Sequence, residues 1–162
     1  MTRPFRLAAL ALASALVLAA CGSSSSSSTT TSTTSTAASS PRPTSVVATT
    51  KTSLGTFLVD AKGRALYLWD ADHGTKSTCS GACAQAWPPL TTTGMPKASG
   101  SAKASLLGTI KRADGTSEVT YAGHPLYYFA GDSAPKQTNG QGSNSFGSPW
   151  WVVSPAGKAI QG

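Results

Sequence analysis

The sequence is poor in the residues from which active sites and metal centres are built. It contains two histidines, three cysteines and six acidic residues in 162 positions. Zinc sites draw on clustered His, Cys or acidic side chains, and no such spacing occurs here. No Ser/His/Asp pattern, phosphate-cradling glycine loop or pair of acid/base carboxylates can be read from the chain. We therefore expect a protein that is not an enzyme and that has no cofactor.

Long apolar runs and long basic runs are also missing. The apolar stretch Leu7–Leu18 has about twelve residues, whereas a helix needs about 20 to cross a bilayer. Apart from Lys111-Arg112, the basic residues are spread singly, which is not the pattern of a nucleic-acid-binding surface. We expect no nucleic-acid partner and a solvated, positively charged surface suited to anionic lipid and wall polymers.

The first twenty residues have the pattern of a signal peptide. Arg3 and Arg6 precede the apolar stretch, and small residues follow it. Leu18-Ala19-Ala20-Cys21 is similar to the lipobox of bacterial lipoproteins, in which the cysteine receives a diacylglycerol before cleavage. We predict cleavage before Cys21 and its acylation, with chains such as palmitate holding the protein to the extracytoplasmic face of the cell membrane. An ordinary secretory signal with an incidental Cys21 is the alternative.

The segment that follows is almost entirely Ser, Thr and Ala, with two prolines. We predict a disordered tether over residues 21–45, because nothing in it can form a core. Its mean reach is roughly 25 Å, from the square-root dependence of coil length on residue number. The remaining residues, 46–162, are long enough for one domain with a modest core.

Sliding the chain against itself by 60 residues aligns two segments without a gap, which indicates a duplicated unit. The identities are Gly55/Gly115, Thr56/Thr116, Val59/Val119, Gly63/Gly123, Leu66/Leu126, Tyr67/Tyr127, Asp72/Asp132 and Lys76/Lys136, and Trp69/Phe129 is an aromatic exchange. We place repeat 1 at about residues 54–90 and repeat 2 at about residues 114–153.

Each unit has the pattern of a β-hairpin. A short strand, 56–59 or 118–121, precedes a turn on Gly63 or Gly123 and a strand carrying Leu-Tyr-x-aromatic. Glycine suits such a turn because it accepts positive φ. We predict a mainly β domain, a small antiparallel sandwich or barrel-like meander of two related hairpin repeats. Residues 97–111 would form a polar crossover with one helical turn.

The repeated motif carries a resemblance to a known family. Tyr67, Trp69 and Asp72, with Tyr127, Phe129 and Asp132, give Tyr-x-aromatic-x-x-Asp twice, and each Asp would end a strand and cap the following turn. This pattern resembles the bacterial secreted-repeat lipoproteins, whose function is unknown. The Trp87-Pro88-Pro89-Leu90 segment and the closing Trp151-Val152-Val153 fit the same pattern. The resemblance implies class and location but no chemistry.

Cys79 and Cys83 are the two thiols left if Cys21 is lipidated. Outside the cytoplasm such a pair usually oxidises, so we predict a structural disulfide. A redox-active pair is the alternative, although redox-active thiols are generally spaced Cys-x-x-Cys. The second repeat has no cysteine pair.

His73 and His124 each stand in a predicted turn, where a solvated side chain is the ordinary expectation. The alternative is that His124 with Tyr127 or Tyr67 binds haem or a transition metal, since imidazole and phenolate both serve as axial ligands. This alternative would make the protein a redox or haem- and metal-handling accessory lipoprotein.

Aromatic residues in extended segments can fill a core or form an exposed platform. Tyr127-Tyr128 and Trp150-Trp151 are adjacent pairs, so one member of each should point outward. We name Tyr121, His124, Tyr128, Trp150 and Trp151 as the candidate ligand surface. The sequence thus favours a membrane-anchored, non-enzymatic binding module whose partner is a cell-wall polymer or another envelope protein.

Overall fold

The computed structural model describes residues 44–162. The predicted signal peptide, the predicted lipidation site Cys21 and all but the last two residues of the predicted tether lie outside them. Within the described residues, no helix is long and apolar enough to cross a membrane. This part of the chain is mainly β, as the sequence predicted.

Residues 44–162 contain eight short strands in three sheets, with strand orders β2-β1-β4, β3-β8 and β5-β6-β7. The bounds are β1 Val46–Thr52, β2 Gly55–Asp60, β3 Tyr67–Trp69, α1 Ala82–Ala86, β4 Lys97–Ala98, β5 Leu107–Lys111, β6 Ser117–Tyr121, β7 His124–Pro125 and β8 Trp150–Val152, with 3-10 turns at Ala104–Leu106 and Ser145–Gly147. The registers place Thr50 opposite Phe57, Thr109 opposite Val119 and Leu68 opposite Trp151. All pairings between these strands are antiparallel except β1 with β4, which is parallel.

Each of the two predicted repeats is preceded by a strand that the sequence analysis did not predict. β1 pairs with β2, and β5 pairs with β6. The crossover predicted over residues 97–111 contains its helical turn at Ala104–Leu106, but it is wrong for Leu107–Lys111, which is strand β5. β1 was hidden because its threonines continue the composition of the preceding segment, although Thr is β-branched and favours strands.

The predicted turns lie on the predicted glycines. Gly63 has φ of 80° and Gly123 has φ of 85°, the left-handed conformation that costs glycine little. Ala122 joins Gly123 in this region with φ of 50°, so the link between β6 and β7 is a two-residue turn with two positive φ values.

The closing segment of each repeat pairs with the other repeat. After α1, the Leu90 N–H of repeat 1 donates to the Leu126 carbonyl of repeat 2 at 2.8 Å. In the opposite direction, β8 of repeat 2 pairs with β3 of repeat 1, and the Val153 N–H donates to the Leu66 carbonyl at 3.3 Å. The two repeats are therefore intertwined.

Both faces of the central strands are buried. Phe57, Val59, Tyr67 and Trp69 pack into one apolar cluster, whereas their neighbours Leu58, Leu66 and Leu68 pack into a second. Side chains alternate along a strand, so consecutive residues feed two cores. Burial on both faces explains why the sequences of these strands are continuously apolar and do not alternate between apolar and polar residues.

Candidate functional site

The two motif tyrosines meet at the centre of the molecule. Tyr67 and Tyr127 form an antiparallel bridge in which each N–H donates to the other's carbonyl at 2.9 Å. Equivalent residues of the two repeats thus lie across from one another, which gives the domain an approximate two-fold axis at this point.

The motif aspartates connect the repeats through their side chains. The Tyr67 hydroxyl donates to Asp132 Oδ2 at 2.6 Å, and the Tyr127 hydroxyl donates to Asp72 Oδ2. The second oxygen of Asp72 accepts the Thr78 N–H, and that of Asp132 accepts the Asn139 N–H, both at 2.8 Å. Each carboxylate therefore caps its own loop while it binds the tyrosine of the other repeat.

Burial, together with these carboxylates, strongly raises the pKa of both motif tyrosines. The Tyr67 and Tyr127 side chains have no exposed surface. Both phenols are therefore neutral donors under ordinary conditions.

An aromatic stack lies against the tyrosines with the same approximate symmetry. The Trp87 and Trp150 rings are parallel with centroids 3.9 Å apart. Phe129 packs on Trp87 at 4.5 Å, and Trp69 packs on Trp150 at 5.0 Å. Gly140 makes room for this stack, because a Cβ there would lie 2.6 Å from the Trp87 ring.

A buried ion pair next to the motif tyrosines has no counterpart at the equivalent positions sixty residues earlier, which are Thr52 and Leu58. Arg112 Nη1 lies 2.7 Å from Glu118 Oε2, and Arg112 Nη2 donates to the Cys79 carbonyl at 2.6 Å. Arg112 also donates to Ser77, whose Oγ lies 2.6 Å from the Tyr127 hydroxyl. Burial raises the pKa of Glu118 to about 7 against the opposing effect of Arg112.

Sequence reasoning missed this network. Glu118 is fully buried, and Arg112 is 8% exposed. The sequence did contain one signal for this network, because Glu118 lies beside Val119 within a predicted strand. A charge buried in a core is unfavourable unless it has a partner, so a basic side chain could have been sought nearby.

The predicted disulfide is present. Cys79 and Cys83 are bonded, with their Cα atoms 5.2 Å apart, and both pack in the core, with Cys83 inside α1. The disulfide also shapes the segment whose carbonyl accepts from Arg112.

The candidate ligand surface named from the sequence is divided by the structure. Tyr121 and Trp150 have no exposed surface and belong to the cores, so they are wrong as exposed ligand contacts. Their burial follows from strand alternation and from the layers on both faces. His124, Tyr128 and Trp151 are half-buried, so each adjacent aromatic pair does have one outward member.

A concave surface runs along residues 89–95 and is called here the threonine groove. It consists of four cavities of about 270, 350, 280 and 270 Å³, and consecutive cavities share lining residues. The shared residues are Ser45, Leu90 and Tyr128, then Thr91 and Thr92, then Thr93 and Ser117. Of these residues, the sequence analysis placed only Tyr128 on a candidate ligand surface, because the groove joins segments that are distant in the sequence.

Most acidic side chains are at least partly buried, whereas the lysines of the described residues are exposed. Three of the six acids are buried (Asp60, Asp72 and Glu118), Asp132 is half-buried, and Asp70 and Asp114 are exposed. The exposed lysines are Lys51, Lys62, Lys76, Lys97, Lys103, Lys111, Lys136 and Lys158. Because most acids serve internal bonds, the surface of the described residues is more cationic than the composition suggests.

Two intertwined β repeats closed by reciprocal tyrosine–aspartate bonds define a duplicated β module. Residues 48–91 and 108–154 match a family described as a secreted repeat of unknown function, over more than half of the chain, and the protein belongs to this family. Searches of curated proteins and of solved structures returned no match. Within residues 44–162, no group of three or more His, Cys, Asp or Glu side chains is placed to hold a metal ion.

Proposed function

We propose that this protein is a lipid-anchored, non-enzymatic module that binds an anionic component of the cell envelope. The supporting observation is the separation of charge, with lysines outward and most carboxylates engaged inside the fold. A cationic surface attracts anionic polymers and membranes over distances of about a Debye length. Membership of a secreted-repeat family fits an extracytoplasmic location.

The anchor is tested at Cys21. Cells fed an alkyne fatty acid should label the wild-type protein and fail to label Cys21→Ser, which should also leave the membrane fraction. A Cys79→Ser/Cys83→Ser variant is the matched control, because it removes two thiols and keeps the proposed lipidation site. Equal labelling of wild type and Cys21→Ser would refute the anchor.

Binding is tested with the chain from Gly22 to Gly162, exported without the lipidated cysteine. It should co-sediment with isolated cell envelopes at low ionic strength and lose most of this binding at 0.5 M salt, because the Debye length then falls to about 4 Å. Binding that does not change with salt would contradict a charge-based interaction. A catalytic turnover of envelope material would contradict the non-enzymatic proposal.

The haem- or metal-handling alternative gains no support from the tyrosines. Tyr67 and Tyr127 would each have to give up a hydrogen bond to an aspartate before binding a metal. The cysteines likewise are joined in a buried disulfide.

A further inference from the structure

We propose that the threonine groove binds an extended polyanion with hydroxylated repeating units, such as a polyol-phosphate or sugar-phosphate polymer. This proposal rests on the proposed function and names its site and ligand class. It depends on three features of the groove: its rigid floor, the spacing of its cations and the chemistry of its lining.

The floor of the groove is held by both repeats. The Leu90 carbonyl accepts from the Val119 N–H at 2.8 Å, and the Thr92 N–H donates to the Ser117 carbonyl at 2.9 Å. The Ser45 hydroxyl donates to the Thr91 carbonyl at 2.8 Å, which attaches the start of the described chain to the same segment. A binding surface on a rigid segment loses little entropy when a ligand is bound.

Cations occur at intervals along the groove. Lys62 lines the first cavity, Arg64 lines the second and Lys111 lines the third. Five extended residues, as from Pro89 to Thr93, span roughly 16 Å. Charges distributed over such a length match a ligand that carries several separated negative groups better than they match one small anion.

Arg64 is fixed in place before any ligand arrives. Asp60 Oδ2 lies 2.9 Å from Arg64 Nε and 2.8 Å from Nη2, and the guanidinium stacks on the Tyr128 ring at 3.9 Å. Asp60 occupies two of the five N–H donors of the guanidinium, and the ion pair carries no net charge, so Arg64 supplies hydrogen-bond donors while Lys62 and Lys111 supply the positive charge. The remaining donors are suited to a phosphate or carboxylate oxygen.

Hydroxyl-bearing residues make up much of the remaining lining, which also includes the apolar side chains of Val46, Ala61, Leu90 and Met95 and the carboxylate of Asp60. Ser45, Thr91, Thr109 and Thr116 line the cavities, and Tyr128 adds a half-buried ring. Hydroxyl groups can donate and accept hydrogen bonds, which suits a ligand that itself carries hydroxyl groups. A bare lipid surface would not enter a groove of this shape, so we favour a polymer over a membrane.

The test uses the Gly22 to Gly162 chain and poly(glycerol phosphate), with neutral dextran of similar length as the uncharged probe. Lys62→Ala/Lys111→Ala removes the two exposed lysines of the groove. Lys51→Ala/Lys158→Ala is the matched control, because it removes the same charge from exposed positions that line none of the four cavities. Thermal unfolding of both variants checks that the fold is retained.

The wild type should bind poly(glycerol phosphate) and not dextran. The groove variant should bind about tenfold more weakly, and the control variant should lose less than about twofold, since surface charge pairs contribute modestly outside a defined site. Equal weakening in both variants would refute the groove while leaving the proposed function intact. Binding to phosphatidylglycerol vesicles in place of the polymer would also refute the groove, and absence of binding to both would refute the proposed function as well.

Discussion

Replacing Tyr127 by Phe tests whether the cross-repeat bonds hold the two repeats together. The Tyr127 hydroxyl is buried, donates to Asp72 and lies 2.6 Å from Ser77 Oγ. Asp72 is only 5% exposed, so its oxygen would lose this donor with little access to water. A hydrogen bond to a charged group contributes about 1.5–3 kcal/mol, and an unsatisfied buried acceptor is unfavourable by a similar amount. We expect the free energy of unfolding to fall by about 3 kcal/mol.

Two related variants calibrate this value. Tyr67→Phe removes the equivalent hydrogen bond, from the Tyr67 hydroxyl to Asp132. Because Asp132 is half-buried and water can replace the lost donor, we expect the free energy of unfolding to fall by about 1.5 kcal/mol. Tyr128→Phe is the control on the same segment, because its hydroxyl lies at a half-buried position and its hydrogen bond to Asp60 is long, at 3.2 Å. That variant should lose less than about 1 kcal/mol.

The assay is urea unfolding of the Gly22 to Gly162 chain followed by tryptophan fluorescence, which reports on the central stack. A double-mutant cycle of Tyr127→Phe with Asp72→Asn should give a coupling energy above about 1 kcal/mol, as expected for groups in direct contact. Equal losses for the Tyr127 and Tyr128 variants, or additive effects in the cycle, would refute the assignment of the motif to repeat closure.

Three further predictions concern the core. The folded Glu118 carboxyl holds its proton to about pH 7, whereas the unfolded one loses it near 4.5. Stability should therefore fall by up to about 3 kcal/mol as pH rises through this window, and urea unfolding of Glu118→Gln should show a smaller fall. Gly140→Ala should cost about 1–3 kcal/mol through overpacking against the stack, while Gly94→Ala, in an exposed loop with more space, should be nearly neutral in the same assay. Cys79→Ser/Cys83→Ser should lower stability by about 2 kcal/mol, the chain-entropy value for so short a loop, and an unchanged urea midpoint would contradict this.

The repeat, the turns and the disulfide could be predicted from the sequence because each depends on local chemistry. Gly63 and Gly123 mark positive φ, and a cysteine pair four residues apart fits an oxidised loop. Strand alternation also predicted that one member of each adjacent aromatic pair points outward, although it did not distinguish Trp150 from Trp151. These features require no knowledge of which segments meet.

The features that could not be predicted depend on contacts between distant segments. The closing segment of each repeat pairs with the other repeat, so the Leu90 N–H donates to the Leu126 carbonyl. Nothing in the sequence of either segment specifies this partner. The same is true of Arg112, whose contact with the Cys79 carbonyl joins residues 33 positions apart. Tyr121 and Trp150 were named as candidate surface residues, whereas in the structure they are buried because the strands are covered on both faces.

The burial of the motif tyrosines limits which residues a ligand can contact. Tyr67 and Tyr127 are fully buried, and the carboxylates that they contact also cap loops. The motif tyrosines therefore stabilise the fold, and the proposed polymer would have to contact other residues. A binding defect in a Tyr67 variant would report lost folding unless stability is measured alongside, whereas the exposed Lys62 and Lys111 allow binding to be changed while the core is left intact.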